Sequence, residues 1–308
     1  MLAILFPGQG SQFIGMGSDF YNRFDLVKKI FNQVDDALSY PLSKIILNGP
    51  EEKLKLTEYT QPAIMTIGVS IFKVLNEEFG YNLDKIKYLA GHSLGEYTAL
   101  VCSGALSLNS AAYLLRERGK AMQNAVPEGQ GAMVAVIGMD IDDVKKEINN
   151  LPKENICEVA NDNSNTQVVL SGKKKNIEIL ISHLKNKNKR CILLPVSAPF
   201  HCSLMKSAAE NMREKILRTN FSKLKINIIS NVTAEEESDI DKIKTLLIDQ
   251  ITSTVRWRES VNYMIKKGVN NFLEIGPGKV LSGLVKKINK EVKIENINST
   301  EDLKNDWF

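Results

Sequence analysis

The sequence predicts a mixed α/β fold in which a mainly parallel sheet, covered by helices on both faces, is interrupted by an inserted subdomain of ferredoxin-like pattern. Three observations predict it. Short apolar strands alternate with helical periodicity at both ends of the chain, as parallel strands joined by crossover helices require. Between Pro127 and Pro195 the order becomes strand, helix, strand, strand, helix, strand, which is the ferredoxin-like pattern. With 308 residues, 43% of them apolar, the chain can bury one large domain with an insertion, or two domains.

Residues 1–6 read as a short buried strand ending in the loop Pro7-Gly8-Gln9-Gly10-Ser11-Gln12. Helical periodicity follows at about 22–38 and at about 61–79, where Thr60 is placed to cap and Pro62 suits a first turn. A strand at 88–92 leads into a sharp turn and a helix beginning near Glu96. A further helix runs from about 108 to 125, capped by Ser107 and stopped by Pro127-Glu128-Gly129. Within the insertion, 132–137 is a strand and 140–149 a helix opened by Asp140, Asp142 and Asp143. Strands at 156–160 and 167–170 are joined by the turn-rich Asn161–Asn165, and a helix at 174–187 and a strand at 191–195 complete the unit. The α/β pattern then resumes with a helix at 203–219, a strand at 225–230 and helices at about 240–252 and 258–267. A strand at 271–275 and a helix after Pro277-Gly278 close it, and Glu235-Glu236-Glu237 reads as a solvated turn. The expected division is 1–127 with 196–308 for the core and 128–195 for the inserted subdomain.

Composition narrows the function. A net charge of +4, with lysines and carboxylates interspersed, does not argue for nucleic acid and leaves only a mild preference for an acidic partner. Cys102, Cys157, Cys191 and Cys202 show no paired C-x-x-C and no zinc-ligand spacing, so no metal site is expected. Scattered thiols fit a reducing cytosol. The apolar opening Met1–Phe6 has no basic n-region and breaks at Pro7-Gly8, unlike a secretory signal. No apolar stretch approaches the ~20 residues of a membrane span. A cytoplasmic protein without membrane contact is expected.

The chemistry concentrates at Gly91-His92-Ser93-Leu94-Gly95. An apolar run leads in and a helix-compatible run leads out, the context of strand, sharp turn and helix that a G-x-S-x-G nucleophile elbow needs. Glycines permit the tight turn, and Ser93 stands at the positive end of the following helix. The competing reading, a chance match in a Gly-rich turn, has both flanks against it. A serine hydroxyl needs a base. Of the three histidines, His92 precedes Ser93 and points to the opposite face, and His183 lies in a lysine-rich helix whose face reads as solvated. His201, in a loop stiffened by Pro195 and Pro199, is the candidate base by elimination. No aspartate stands out as a third member. Gly8-Gln9-Gly10 after the first strand offers backbone N–H groups to a developing oxyanion, beside the N–H of Leu94. Arg118, followed by a glycine that permits close packing against the elbow turn, would bind a carboxylate if buried there. A surface arginine paired with a nearby glutamate is the equally open alternative.

Five segments in order carry a family resemblance: Phe6-Pro7-Gly8-Gln9-Gly10-Ser11-Gln12, Gly91-His92-Ser93-Leu94-Gly95-Glu96-Tyr97, Arg118-Gly119-Lys120-Ala121-Met122-Gln123, Phe200-His201-Cys202-Ser203-Leu204-Met205 and Glu274-Ile275-Gly276-Pro277-Gly278-Lys279-Val280-Leu281. Together, from residue 1 to about 287, they resemble the malonyl-CoA:acyl carrier protein transacylases of bacterial-type fatty acid synthesis. The resemblance implies an α/β-hydrolase-like core with the ferredoxin-like subdomain, Ser93 as acylated nucleophile and His201 as its base. It also implies that Arg118 holds the malonyl carboxylate, that the N–H groups of Gln9 and Leu94 form the oxyanion hole, and that the backbone carbonyl of Gln250 orients the histidine. In the family Gly276-Pro277-Gly278-Lys279 is a structural turn, and it lacks the six-residue spacing of a Walker loop. Arg256 departs from the family's usual uncharged residue and is expected to alter the surface around Gln250. Phe200 before His201 weakly favours malonyl over α-branched donors. The implied partners are malonyl-CoA, a substrate rather than a cofactor, and acyl carrier protein, with the enzyme a monomer. Two rivals remain: a serine esterase or thioesterase using water as acceptor, and a silent scaffold that docks carrier protein. Acylation should fall below the pKa of the base, ordinarily ~6.5 for histidine.

Overall fold

The computed structural model describes residues 1–151, 157–196 and 198–303. Ile156, Ser197 and residues 304–308, each part of an expected element or boundary, lie outside the described residues. In chain order the elements are β1 (Leu2–Phe6), α1 (Ser18–Arg23), α2 (Asp25–Leu38), α3 (Leu42–Asn48), α4 (Glu51–Lys55), α5 (Thr57–Glu77), β2 (Ile86–Gly91), α6 (Gly95–Cys102) and α7 (Leu108–Asn124). Then come β3 (Gly131–Ile137), α8 (Ile141–Asn149), β4 (Cys157–Ser164), β5 (Gln167–Lys173), α9 (Lys174–Asn186) and β6 (Arg190–Leu193). The rest are α10 (Lys206–Arg218), β7 (Ile228–Ile229), β8 (Glu236–Glu237), α11 (Ile240–Asp249), α12 (Trp257–Lys266), β9 (Asn271–Ile275), α13 (Val280–Ile288) and β10 (Lys293–Ile297). The fold is mixed α/β.

Six strands form one sheet in the order β10-β9-β1-β2-β7-β8, parallel except for the β7–β8 pair. β1 is buried at every position, which only a sheet covered on both faces allows. Its side chains alternate between two cores: Leu2, Ile4 and Phe6 join the large cluster under α2, α5 and α7, while Ala3 and Leu5 join the cluster of Trp257, Val261 and Leu281 under α12 and α13. Residues 131–193 build a second, four-stranded antiparallel sheet in the order β4-β5-β3-β6, with its own core of Val134, Val168, Ile177 and Leu180.

The two sheets are tied where β4 meets the loop before α12. Val255 N–H donates to Ala160 O (2.9 Å) and Asp162 N–H to Val255 O (3.0 Å). The buried Asp162 carboxylate accepts from Arg258 Nε and Nη2 at 2.9–3.1 Å. Asn161–Asn163 therefore lie within a strand, not in the expected turn, and the turn itself is confined to Asn165 and Thr166.

Several expectations need correction. The helix expected at 22–38 breaks at Phe24, whose extended backbone separates α1 from α2, and α3 and α4 are helices too short to show periodicity. α5 begins at Thr57, so Thr60 is a first-turn residue, not a cap; its hydroxyl donates back to the carbonyls of Leu54 and Leu56, and Pro62 lies within the helix. The first turn of the helix expected at 203 is a 3₁₀ turn. Glu236 and Glu237 pair with β7 rather than forming a solvated turn, and the buried Glu237 carboxylate accepts from the N–H groups of Ser238 and Asp239. β10 was not foreseen. The Gly276 turn joins β9 to α13 as expected: a Cβ there would lie 2.8 Å from Pro7, and the Glu274 carboxylate caps α13 through the N–H groups of Leu281 (3.0 Å) and Ser282 (2.7 Å).

Candidate active site

β1, β2 and β7 are neighbours, and the segments leaving their carboxyl ends carry Gln9, Ser93 and Asn231, the position where open α/β sheets place their ligands. Ser93 has a left-handed backbone, φ 53°. Such a conformation costs an L-residue about 1–3 kcal/mol and persists only where its surroundings impose it. Here they do. A Cβ on Gly91 would lie 1.9 Å from the Gly95 carbonyl, and one on Gly95 would lie 2.3 Å from the Phe6 carbonyl oxygen, so both must be glycine. Asn231 holds the turn from the side: Oδ1 accepts from Ser93 N–H (2.7 Å) and Nδ2 donates to Gly91 O (2.7 Å).

His201 meets Ser93 across this turn. Its Nε2 lies 2.8 Å from Ser93 Oγ and its Nδ1 lies 2.8 Å from the Gln250 backbone carbonyl. A carbonyl can only accept, so Nδ1 carries the proton and Nε2 presents its lone pair to the hydroxyl. His201 is buried and also has a positive φ, 58°. Burial, and then the neighbouring Arg118 cation, push its pKa down to about 3.

Arg118 is fully buried, which removes the surface-pair alternative. Nη1 donates to Gln61 Oε1 (2.8 Å), and Nη2 to Gln250 Oε1 (2.8 Å) and Ser93 Oγ (3.2 Å). All three acceptors are neutral; among the described residues no carboxylate pairs with it directly. Burial lowers its pKa, outweighing the opposing pull of the nearby Tyr97 and Glu96. Arg116 points away, over the rings of Tyr40 and Tyr59, and bonds to Leu38 O. Gly119 permits close packing against the start of α5, not against the elbow: a Cβ would lie 2.6 Å from Glu58 Cα and Thr57 O.

A cavity of about 300 Å³ opens over these groups, lined by Ser93, His201, Arg118 and Gln9 on one side and by Met133 and Asn161 of the second sheet on the other. Leu94 borders it as well. Among the described residues, the N–H groups of Gln9 and Leu94 have no intramolecular acceptor. No cluster of His, Cys, Asp and Glu among the described residues is arranged to hold a metal.

The other candidates fall away. His92 turns toward the second sheet, with Nε2 2.9 Å from Asn163 Oδ1 and its ring 5.6 Å from that of Trp257. His183, its side chain 30% exposed, pairs with Glu147 (2.7 Å) away from Ser93. Burial raises the Cys202 thiol, whose Sγ donates to Pro199 O. The Arg256 guanidinium bonds to groups other than Gln250. It pairs with Glu259 and donates to the carbonyls of Val232 and Thr233, holding the loop that follows Asn231.

Sequence reasoning missed four participants: Gln61, Glu96, Asn231 and the side chain of Gln250. Glu96 had a usable signal, as a lone carboxylate opening an otherwise apolar helix. It is buried, its pKa is pushed up to about 7 by that burial, and its Oε2 accepts from Asn231 N–H (3.1 Å) and Gln250 Nε2 (2.7 Å).

The acyl transferase domain family model matches residues 4–304. The malonyl CoA-acyl carrier protein transacylase of Bacillus subtilis (strain 168) is 44% identical over 305 residues, 98% of this chain and 95% of that protein. The crystal structure of an acyl-carrier-protein-S-malonyltransferase from Bartonella henselae matches with a TM-score of 0.95 at 44% identity, covering 98% of this chain and 96% of that one. A malonyl-transacylase solved in complex with a type II PKS acyl-carrier protein matches with a TM-score of 0.94 at 38% identity, covering 98% and 97%. The chain belongs to the malonyl CoA-acyl carrier protein transacylase family of acyl transferases.

Proposed function

We propose that the protein moves a malonyl group from malonyl-CoA to the phosphopantetheine thiol of acyl carrier protein through a malonyl-serine intermediate. One observation carries this reading: Ser93 Oγ has a neutral imidazole nitrogen at 2.8 Å and a buried guanidinium nitrogen at 3.2 Å, all facing one cavity. A donor with both a thioester and a free carboxylate needs a base and a cation side by side.

In the first step Ser93 gives its proton to His201 Nε2 and its oxygen bonds to the thioester carbon. The N–H groups of Gln9 and Leu94 receive the oxyanion. The C–S bond then breaks, and the imidazolium returns the proton to the departing CoA sulfur. In the second step the carrier thiol gives its proton to His201, attacks the ester carbon and releases Ser93, which recovers the proton. Arg118 exchanges part of its neutral hydrogen bonding for the malonyl carboxylate, gripped by two parallel bonds. That carboxylate also offsets the cation that depresses His201, so the correct substrate makes its own base stronger.

The parallel sheet with its nucleophile turn after β2 supports an α/β-hydrolase-like core of residues 1–127 and 196–308. The order β4-β5-β3-β6 with α8 and α9 supports a ferredoxin-like subdomain over 128–195. The enzyme acts as a cytoplasmic monomer without metal or cofactor. No helix among the described residues is long and apolar enough to cross a membrane.

Release of CoA from malonyl-CoA, followed with and without holo-acyl carrier protein, tests the reading. Without acceptor a single turnover is expected, and carrier protein restores continuous release. Continuous release into water alone would identify a thioesterase, and no release at all a silent scaffold.

A further inference from the structure

The Glu96 carboxylate lies at the junction of three parts of the site without touching the cavity. We infer that Glu96 is a positioning residue for donor selection, acting through Gln250 and Asn231 on Arg118 and Ser93; this rests on the malonyl-transfer reading above.

The argument turns on the Gln250 side chain. An amide has one accepting and one donating end, and a flip exchanges them. Gln250 Oε1 must face Arg118 Nη2, because a guanidinium only donates. On the other side, Nε2 meets three acceptors, Glu96 Oε2 at 2.7 Å, Ser93 O at 3.1 Å and Asn231 Oδ1 at 3.5 Å. Glu96 makes the shortest of these bonds and is the charged acceptor among them, so it strengthens the amide orientation that places Arg118 Nη2 against Ser93 Oγ. The same carboxylate oxygen accepts the backbone N–H of Asn231, whose side chain clamps the strained turn at Ser93 N–H and Gly91 O. Glu96 is 1% exposed, so water does not replace these bonds.

Removing the carboxylate takes away the shortest bond to Gln250 Nε2 and loosens the amide that positions Arg118 for a malonyl carboxylate. Acetyl transfer does not use that grip. Glu96→Ala should lower kcat/KM for malonyl-CoA at least about fivefold more than for acetyl-CoA. Glu96→Gln, which keeps an accepting oxygen and the volume, should restore the malonyl-to-acetyl ratio to within about twofold of the parent. Gln250→Met, which leaves the backbone carbonyl for His201, tests the same link from its other end and should lower the ratio in the same direction, whether or not Glu96→Ala folds. Equal losses for both donors in Glu96→Ala, or an unchanged ratio in Gln250→Met, would overturn the inference and make Glu96 a structural residue. If the parent enzyme itself shows no malonyl transfer, the underlying reading fails instead.

Discussion

Replacing Arg118 with alanine separates a malonyl enzyme from a general acyltransferase. The structure places the guanidinium fully buried, within 3.2 Å of Ser93 Oγ and held by the side-chain oxygens of Gln61 and Gln250. A malonyl carboxylate entering this cavity leaves water, and it is stabilised only if charged hydrogen bonds replace its hydration. Such bonds contribute about 1.5–3 kcal/mol each. Losing even one lowers malonyl transfer about tenfold, since ~1.4 kcal/mol is a decade, and losing both approaches a thousandfold. The variant also orphans two buried amide oxygens, at about 1–3 kcal/mol each; this stability cost appears in thermal unfolding and is the same for every donor. The donor-specific part is therefore read as the ratio of kcat/KM for malonyl-CoA to that for acetyl-CoA, which should fall at least about tenfold. Lysine at 118 should rescue only part of it, because a point charge lacks the planar fork. Equal losses for the two donors would refute the reasoning and leave Arg118 a structural cation.

The remaining predictions follow from the same geometry. His201→Ala should slow acylation by about 10²–10⁴, the usual worth of a general base, whereas a histidine that only packed would leave the rate nearly unchanged. The pH profile should differ from that of an ordinary imidazole: with His201 held near about 3, the free enzyme keeps its base unprotonated, so acylation-limited kcat/KM should lose nothing to His201 protonation between about pH 5 and 8 and should fall only on approach to pH 3. A break near 6.5 in the parent that moves to higher pH in Arg118→Ala would contradict this assignment, since removing a cation can only raise the imidazole pKa. Gly119→Ala drives a methyl into the backbone of α5 at 2.6 Å and should destabilise the fold by about 1–3 kcal/mol, measured by denaturant unfolding; a neutral substitution would show that α5 and α7 can separate without cost.

What the sequence made legible divides along physical lines. Ser93 was readable because its signal is local: two glycines forced by backbone contacts at 1.9 and 2.3 Å, flanked by a strand and a helix. His201 was readable by scarcity, being one of three histidines. Gln250 was reached only through resemblance, because a backbone carbonyl is supplied by any residue type and leaves no trace in side-chain pattern. Asn231 and Gln61 stayed hidden because an amide at the end of a two-residue strand or inside a buried helix looks like any surface amide until the fold brings it to the elbow. The middle strands were found but their joint was misplaced: Asn161-Asp162-Asn163 has turn chemistry, yet pairing with Val255 and Arg258 keeps it extended. The pKa of His201 was not legible in the sequence, because burial, a tertiary property, sets its direction.

The central claim is that Ser93 carries the malonyl group between two thiols. Intact-mass spectrometry after mixing with malonyl-CoA, followed by peptide mapping, tests it most directly. One malonyl group on the peptide containing Ser93, discharged by holo-acyl carrier protein and absent from Ser93→Ala, is the predicted result. A malonyl adduct that persists in Ser93→Ala, on Ser11 or Cys202 for example, would contradict the account.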